Sequence, residues 1–229
     1  MPLPMVHLNV AVEYFEHGVV PPAFLLGSIA PDAIHMRKGT NREHKRQTHL
    51  TAESQPDLQA YMRSRYEHYI VQRGDEQWKW FVQGYFAHLL TDYLWLLDVY
   101  AVFKAKTALD GLAKEEAKSV YYRDTDQIDF HYYRTKPWVR DVWSGLIGAR
   151  SFDMEPLLTA REIHYWRLRT VHWFDLLGEE PEVEPHYITQ PMVDAFIPAA
   201  GGRIRELLGA WDREMEAAGQ RAAGSGPAR

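Results

Sequence analysis

Phe86-Ala87-His88-Leu89-Leu90-Thr91-Asp92-Tyr93-Leu94-Trp95-Leu96-Leu97 is the longest apolar run in the chain, and two ionisable groups sit inside it four residues apart. A helix carries positions i and i+4 on one face, so an imidazole and a carboxylate point the same way. Burying either without a partner costs several kcal/mol. Either the two satisfy each other as a buried His–Asp hydrogen bond, or a third group meets both. A metal ion is the most economical third group. Residues 76–106 around this run read as one helix, apolar on nearly all faces, as befits the centre of a bundle. The expected fold is therefore all-α: a compact multi-helix bundle with a central buried helix carrying His88 and Asp92.

Outward from this helix the chain stays helical. Residues 6–16 read as a first helix, ended by Pro21-Pro22. A short apolar segment, 23–29, leads to Ala30-Pro31-Asp32, where a helix is expected to begin near Pro31. Residues 38–46 read as a charged loop, 56–71 as a helix, and Arg73-Gly74-Asp75 as a turn. Further helices are expected over 112–122, 137–147 and 157–177, with a last amphipathic helix or pair over 191–216. The acidic stretch Asp124-Thr125-Asp126-Gln127-Ile128-Asp129 lacks the glycine and terminal glutamate of a calcium loop and reads as a solvated loop. Residues 178–185 form an acidic, proline-punctuated linker. No convincing alternating strand is present. The expected organisation is one domain over 1–216 and a flexible Gly/Ala/Arg-rich tail over 217–229.

A chain of 229 residues can bury a sizeable core. Its net charge of -5 offers no basic footprint, which disfavours nucleic-acid binding by electrostatics. With no cysteine, disulfides and thiolate ligands are excluded, so any metal must be held by His, Asp, Glu or main-chain groups. The start lacks a basic n-region, and Asp92 and Asp98 interrupt the best apolar run. Neither a signal peptide nor a transmembrane segment is expected, and the location is expected to be cytoplasmic.

Four further residues stand out. His7 lies in the apolar Met5-Val6-His7-Leu8; alone it reads as a hydrogen-bonded core histidine. Asp32 alone is a helix-start carboxylate, and His49 in Thr48-His49-Leu50 an ordinary loop residue. His35 follows Asp32 by three positions and is a ligand, a proton donor, a phosphate contact, or a packed or solvated histidine.

Taken in order, His7, Gly27-Ser28-Ile29-Ala30-Pro31-Asp32, Thr48-His49 and His88-x3-Asp92 resemble the zinc-dependent phospholipase C family, whose helical superfamily includes single-strand-specific zinc nucleases. The resemblance covers about the first 100 residues. It implies one zinc held by Asp32, His49, His88 and Asp92, with Asp92 bridging to a second ion also held by His7. Zinc suits such imidazole and carboxylate ligands, though other divalent transition metals would also fit. The implied activity is hydrolysis of a small phosphoester or phospholipid-like substrate by a zinc-activated water. Asp32 and His35 are the candidate catalytic residues, Asp32 to orient that water or accept its proton.

The chain departs from the family's trinuclear pattern. It begins with Met rather than a processed tryptophan, and residues 93–129 contain no histidine. No later His-x3-Glu occurs, which leaves Asp129, His131, His164 and His172 as possible substitutes and points to one or two metals. The alternative is a non-catalytic, metal-stabilised binding protein on the same fold. A carboxylate-bridged di-iron bundle ranks low because residues 84–103 contain no glutamate. The aromatic residues of the later half, including Trp138, Trp143, Trp166 and Trp173, read as core more than as pocket.

Overall fold

A computed structural model describes the backbone of residues 3–51 and 57–224, and side chains as far as Arg221. Chain order begins with α1 (Pro4–Tyr14) and α2 (Pro22–Gly27), followed by a 3-10 turn (Ala30–Met36) and α3 (Arg42–Thr48). Helices α4 (Leu58–Ile70) and α5 (Glu76–Trp95) come next. A π turn (Leu96–Tyr100) then joins α5 to α6 (Ala101–Leu109) without a break. The remainder comprises α7 (Lys114–Thr135), α8 (Val139–Gly148), α9 (Ala160–Val171), a second π turn (Trp173–Leu177) and α10 (Gln190–Gly224). The protein is all-α; among the described residues the β contribution is one isolated bridge, Met154 with Leu158.

Two glycines set the packing of the central helix. A Cβ on Gly27 would run into the Phe81 carbonyl, and one on Gly84 into the Phe24 carbonyl. Their absence lets α2 lie backbone to backbone on α5. Helix α5 starts at Asp75, whose carboxylate accepts from Trp78 N–H (3.0 Å). It buries residues on every side, including Trp78, Phe81, Tyr85, Phe86, Leu89, Leu90 and Leu94. By length and composition Glu76–Leu109 would suffice to cross a membrane. Here it packs against α1, α2, α4 and α10 as a core helix does.

Several expectations need correction. Residues 38–46 are not all loop, because α3 occupies Arg42–Thr48. Its polar sequence carries no apolar stripe. It is started by a capping box, in which Asn41 accepts from His44 N–H (3.0 Å) and His44 Nδ1 accepts from Asn41 N–H (3.3 Å). Residues 124–129 are not a solvated loop but the middle of α7, with Asp124 and Asp129 both buried. Asp124 Oδ2 accepts three backbone N–H groups, from His186, Tyr187 and Ile188 (3.1, 2.7 and 3.1 Å). Pro22–Gly27, read only as apolar, is helical, and the turn at Asp32 is 3-10 rather than α. The last helix is single and runs past Glu216 to Gly224. The expected start of α4 at Pro56 lies outside the described residues.

Candidate metal centre

Five side chains from four segments meet in and beside α5. His7 comes from α1, Asp32 from the 3-10 turn, His49 from the end of α3, and His88 with Asp92 from α5. Two overlapping groups could hold a metal ion: His7, His88 and Asp92, and Asp32, His49 and His88. All three imidazoles are buried.

Each segment has a local reason to deliver its ligand. Pro4 at the first helical position and the Asp129 carboxylate, which accepts Met5 N–H (3.0 Å), start α1 three residues before His7. The 3-10 turn has three residues per turn, so Asp32 and His35 fall in line one above the other. Helix α3 ends in a Schellman arrangement: Leu50 N–H bonds the Gln47 carbonyl (3.2 Å) and Thr51 N–H the Arg46 carbonyl (3.0 Å). Leu50 takes a left-handed φ of 49° where glycine is usual. This stop leaves His49 as the cap residue, and Tyr85 of α5 donates its hydroxyl to the Thr48 carbonyl (2.5 Å) beside it.

The hydrogen-bonding states follow from the partners. His88 Nδ1 lies 2.9 Å from the Ser28 carbonyl and His49 Nδ1 lies 2.9 Å from the Lys45 carbonyl. A carbonyl only accepts, so both Nδ1 atoms carry hydrogen and both Nε2 atoms present a lone pair. Those lone pairs face acceptors. His49 Nε2 is 3.4 Å from Asp32 Oδ1 and 3.7 Å from Asp92 Oδ2. His88 Nε2 is 3.7 Å from Asp92 Oδ2 and 4.0 Å from Asp32 Oδ2. His7 Nε2 is 3.5 Å from the other Asp92 oxygen, Oδ1, and its ring stacks on His88 with centroids 3.8 Å apart. The Nε2 atoms of His7, His49 and His88 and both oxygens of Asp92 are buried with no hydrogen-bond partner. A set of inward-facing acceptors is what a cation satisfies and what protein neighbours here do not.

Asp92 thus turns one oxygen to His49 and His88 and the other to His7. His88 has only Nε2 to give, because Nδ1 is committed to Ser28. Two ions could therefore not share it. His88 can serve either group, His7 with Asp92 or Asp32 with His49, and each then offers one ion three ligands.

Burial drives the electrostatics. It lowers the pKa of His7 well below the usual imidazole value, with neighbouring His88 adding to the effect, and it lowers His88 as well. Neutral rings are the form that binds metal. Burial pushes Asp92 up to about 6. For Asp32 burial also pushes upward, but hydrogen bonding and positive charge from His49 and His88 when they carry a proton on Nε2, with the Lys45 ammonium, outweigh it and hold the carboxyl well below the usual range.

The other candidates fall outside this cluster. His35 lies at its mouth, half-exposed, with Nε2 3.8 Å from Asp32 Oδ1. Arg37, close in sequence, clamps Glu162 of α9 (2.6 and 3.0 Å). Asp129 caps α1, His164 accepts from Arg167 (2.7 Å), and His172 caps α9. None of these, nor His131, belongs to either metal-competent group among the described residues. Of the later aromatics, Tyr121 and Tyr132 are core, while the Trp166 ring reaches His35 (5.8 Å). Sequence reasoning missed Lys45, whose Nζ sits 3.3 Å from Asp32 Oδ1. The one signal for it was its place four residues before His49, on the same helix face.

A cavity of about 250 Å³ opens from His49 and Asp92, walled by Leu58, Met62, Leu89, Trp95, Leu96 and Tyr100 among others. A larger cleft of about 560 Å³ lies between residues 17–20 and 137–142 and is lined by none of the five cluster side chains. Comparison with family models, curated proteins and solved structures found no match to this chain.

Proposed function

We propose that this protein is a zinc-dependent hydrolase of phosphoester bonds, of the kind the resemblance to zinc-dependent phospholipases C implies. The observation that carries the reading is the buried cluster of acceptors, with Asp92 presenting one oxygen to each imidazole set. Zinc held there would supply an activated water and stabilise charge on the phosphoryl oxygens. Asp32 is the ligand nearest the mouth, its side chain 16% exposed, and it remains ionised to orient that water. His35 stands beside it, with Nε2 placed for proton exchange at the open edge. The apolar cavity beside Asp92 and His49 suits a substrate with a hydrocarbon or aromatic arm, and so supports a phospholipid-like substrate over a bare phosphate ester.

Elemental analysis of protein purified without added metal, then reconstituted with zinc, tests the first half. Less than about half an equivalent after reconstitution overturns the metal reading. Chromogenic phosphodiesters and phosphocholine esters test the second half. A zinc-loaded protein inactive on all of them favours the alternative, a metal-stabilised binding protein.

A further inference from the structure

The mouth of the cluster is chemically lopsided. The cavity side is walled by Leu58, Met62, Leu89 and Leu96 and carries no cationic side chain, its polar atoms being those of Thr51, Tyr93, Trp95 and Tyr100 beside His49 and Asp92. On the other side stand His35 and Lys45, and the charge of Arg169 also bears on His35. Lys45 is built into the site twice. Its carbonyl receives the Nδ1 hydrogen of His49 (2.9 Å), and its ammonium lies 3.3 Å from both Asp32 Oδ1 and His35 Nε2.

We infer that Lys45 is the residue that grips the anionic group of the ligand, its ammonium meeting a phosphoryl oxygen at the edge of the cluster. This rests on the reading of the site as a zinc-dependent phosphoesterase. An ammonium has three donors, and Asp32 and His35 account for two. With 31% of the side chain exposed, the third is open to an incoming ligand. The local charge favours an anion once Asp32 and Asp92 are spent on divalent cations, because Lys45 is then a cation with no carboxylate left to itself. The lopsided mouth also orients the ligand. The phosphoryl group faces the Lys45 side and the apolar arm faces Leu96 and Tyr100. A lysine kept only as a salt-bridge partner of Asp32 would contribute little and would oppose a metal on the same carboxylate.

Calorimetric titration of the zinc-loaded full chain with inorganic phosphate tests this in the wild type, Lys45→Met and Lys45→Arg. Lys45→Met is expected to weaken phosphate about tenfold or more, as for loss of a charge-assisted hydrogen bond. Its zinc affinity should stay equal or rise, because a cation beside Asp32 is gone. Lys45→Arg should keep phosphate affinity within about threefold, since the charge remains. With a chromogenic phosphodiester, Lys45→Met should raise KM more than it lowers kcat. Equal phosphate affinity in wild type and Lys45→Met, at equal zinc content, overturns the role of Lys45 and leaves the metal site standing. A wild type that takes up no zinc overturns both.

Discussion

Asp92 and Asp124 are both carboxylates on long helices, and the protein closes over both of them. They differ in what meets them. One Asp124 oxygen collects three backbone N–H groups from residues 186–188 and ties that segment to α7. Neither Asp92 oxygen has a hydrogen-bond donor, and the groups nearest it are imidazole nitrogens whose lone pairs face inward. Burial of a carboxylate is therefore not in itself a sign of function. A carboxylate with one oxygen held by three N–H groups, as Asp124 is although its Oδ1 has no partner, stabilises the fold. An unsatisfied one, surrounded by further acceptors, destabilises the fold unless a cation meets it.

The comparison can be broken at four points, taken from the largest effect down. Asp124→Ala strands three N–H groups and should cost about 4 kcal/mol in urea unfolding. Zinc stoichiometry in the remaining folded protein should not change. Gly84→Ala drives a methyl into the Phe24 backbone and should cost about 3 kcal/mol. It should also lower zinc affinity, because α2 carries the Ser28 carbonyl that orients His88.

Asp92→Asn should behave oppositely. In metal-free protein at pH 7.5 it should leave stability unchanged or raise it by about 1–2 kcal/mol, because it removes a buried unpaired charge. Zinc affinity should fall about 100-fold or more, read by competition with a chromogenic chelator. A large loss of metal-free stability would place Asp92 in the same class as Asp124 and end the contrast.

The smallest effect is the pH dependence of that gain. Asp92 titrates at about 6 in the folded protein, above the ordinary carboxylate value. Its contribution to metal-free stability is therefore fully present below about pH 4 and is lost as pH rises through about 6. Asp32, held low, acts in the opposite sense and loses its contribution only as pH falls through its depressed value. The advantage of Asp92→Asn over wild type should thus shrink to less than about 1 kcal/mol at pH 4.5, measured by paired urea titrations.

His7, Asp32 and His49, read alone, are a core histidine, a helix-start carboxylate and a loop residue that only the family resemblance joins to the site, whereas the central helix with its His88–Asp92 pair could be named from the sequence for a physical reason. Polar residues inside apolar runs at helical spacing carry their own anomaly. Lys45 and α3 carried none. Arg42-Glu43-His44-Lys45-Arg46-Gln47-Thr48 has no apolar periodicity, and its helix depends on the Asn41–His44 box and on Thr48 docking at Tyr85. The acidic run in α7 misled for a related reason. Its carboxylates look solvated, but the partner of Asp124 lies about 60 residues later, at 186–188, and no local pattern announces it.

The π turn at Leu96–Tyr100 begins four residues after Asp92 and lends Leu96 and Tyr100 to the apolar cavity. Such a turn holds one residue more than an α turn, so everything after it is rotated by about 100° relative to an uninterrupted helix. Deleting one residue there would let the turn close as ordinary α-helix, with α6 kept on its present faces and α5 undisturbed. A one-residue change in length can therefore be absorbed at this turn, with the helices on either side acting as the fixed part and the turn as the adjustable one.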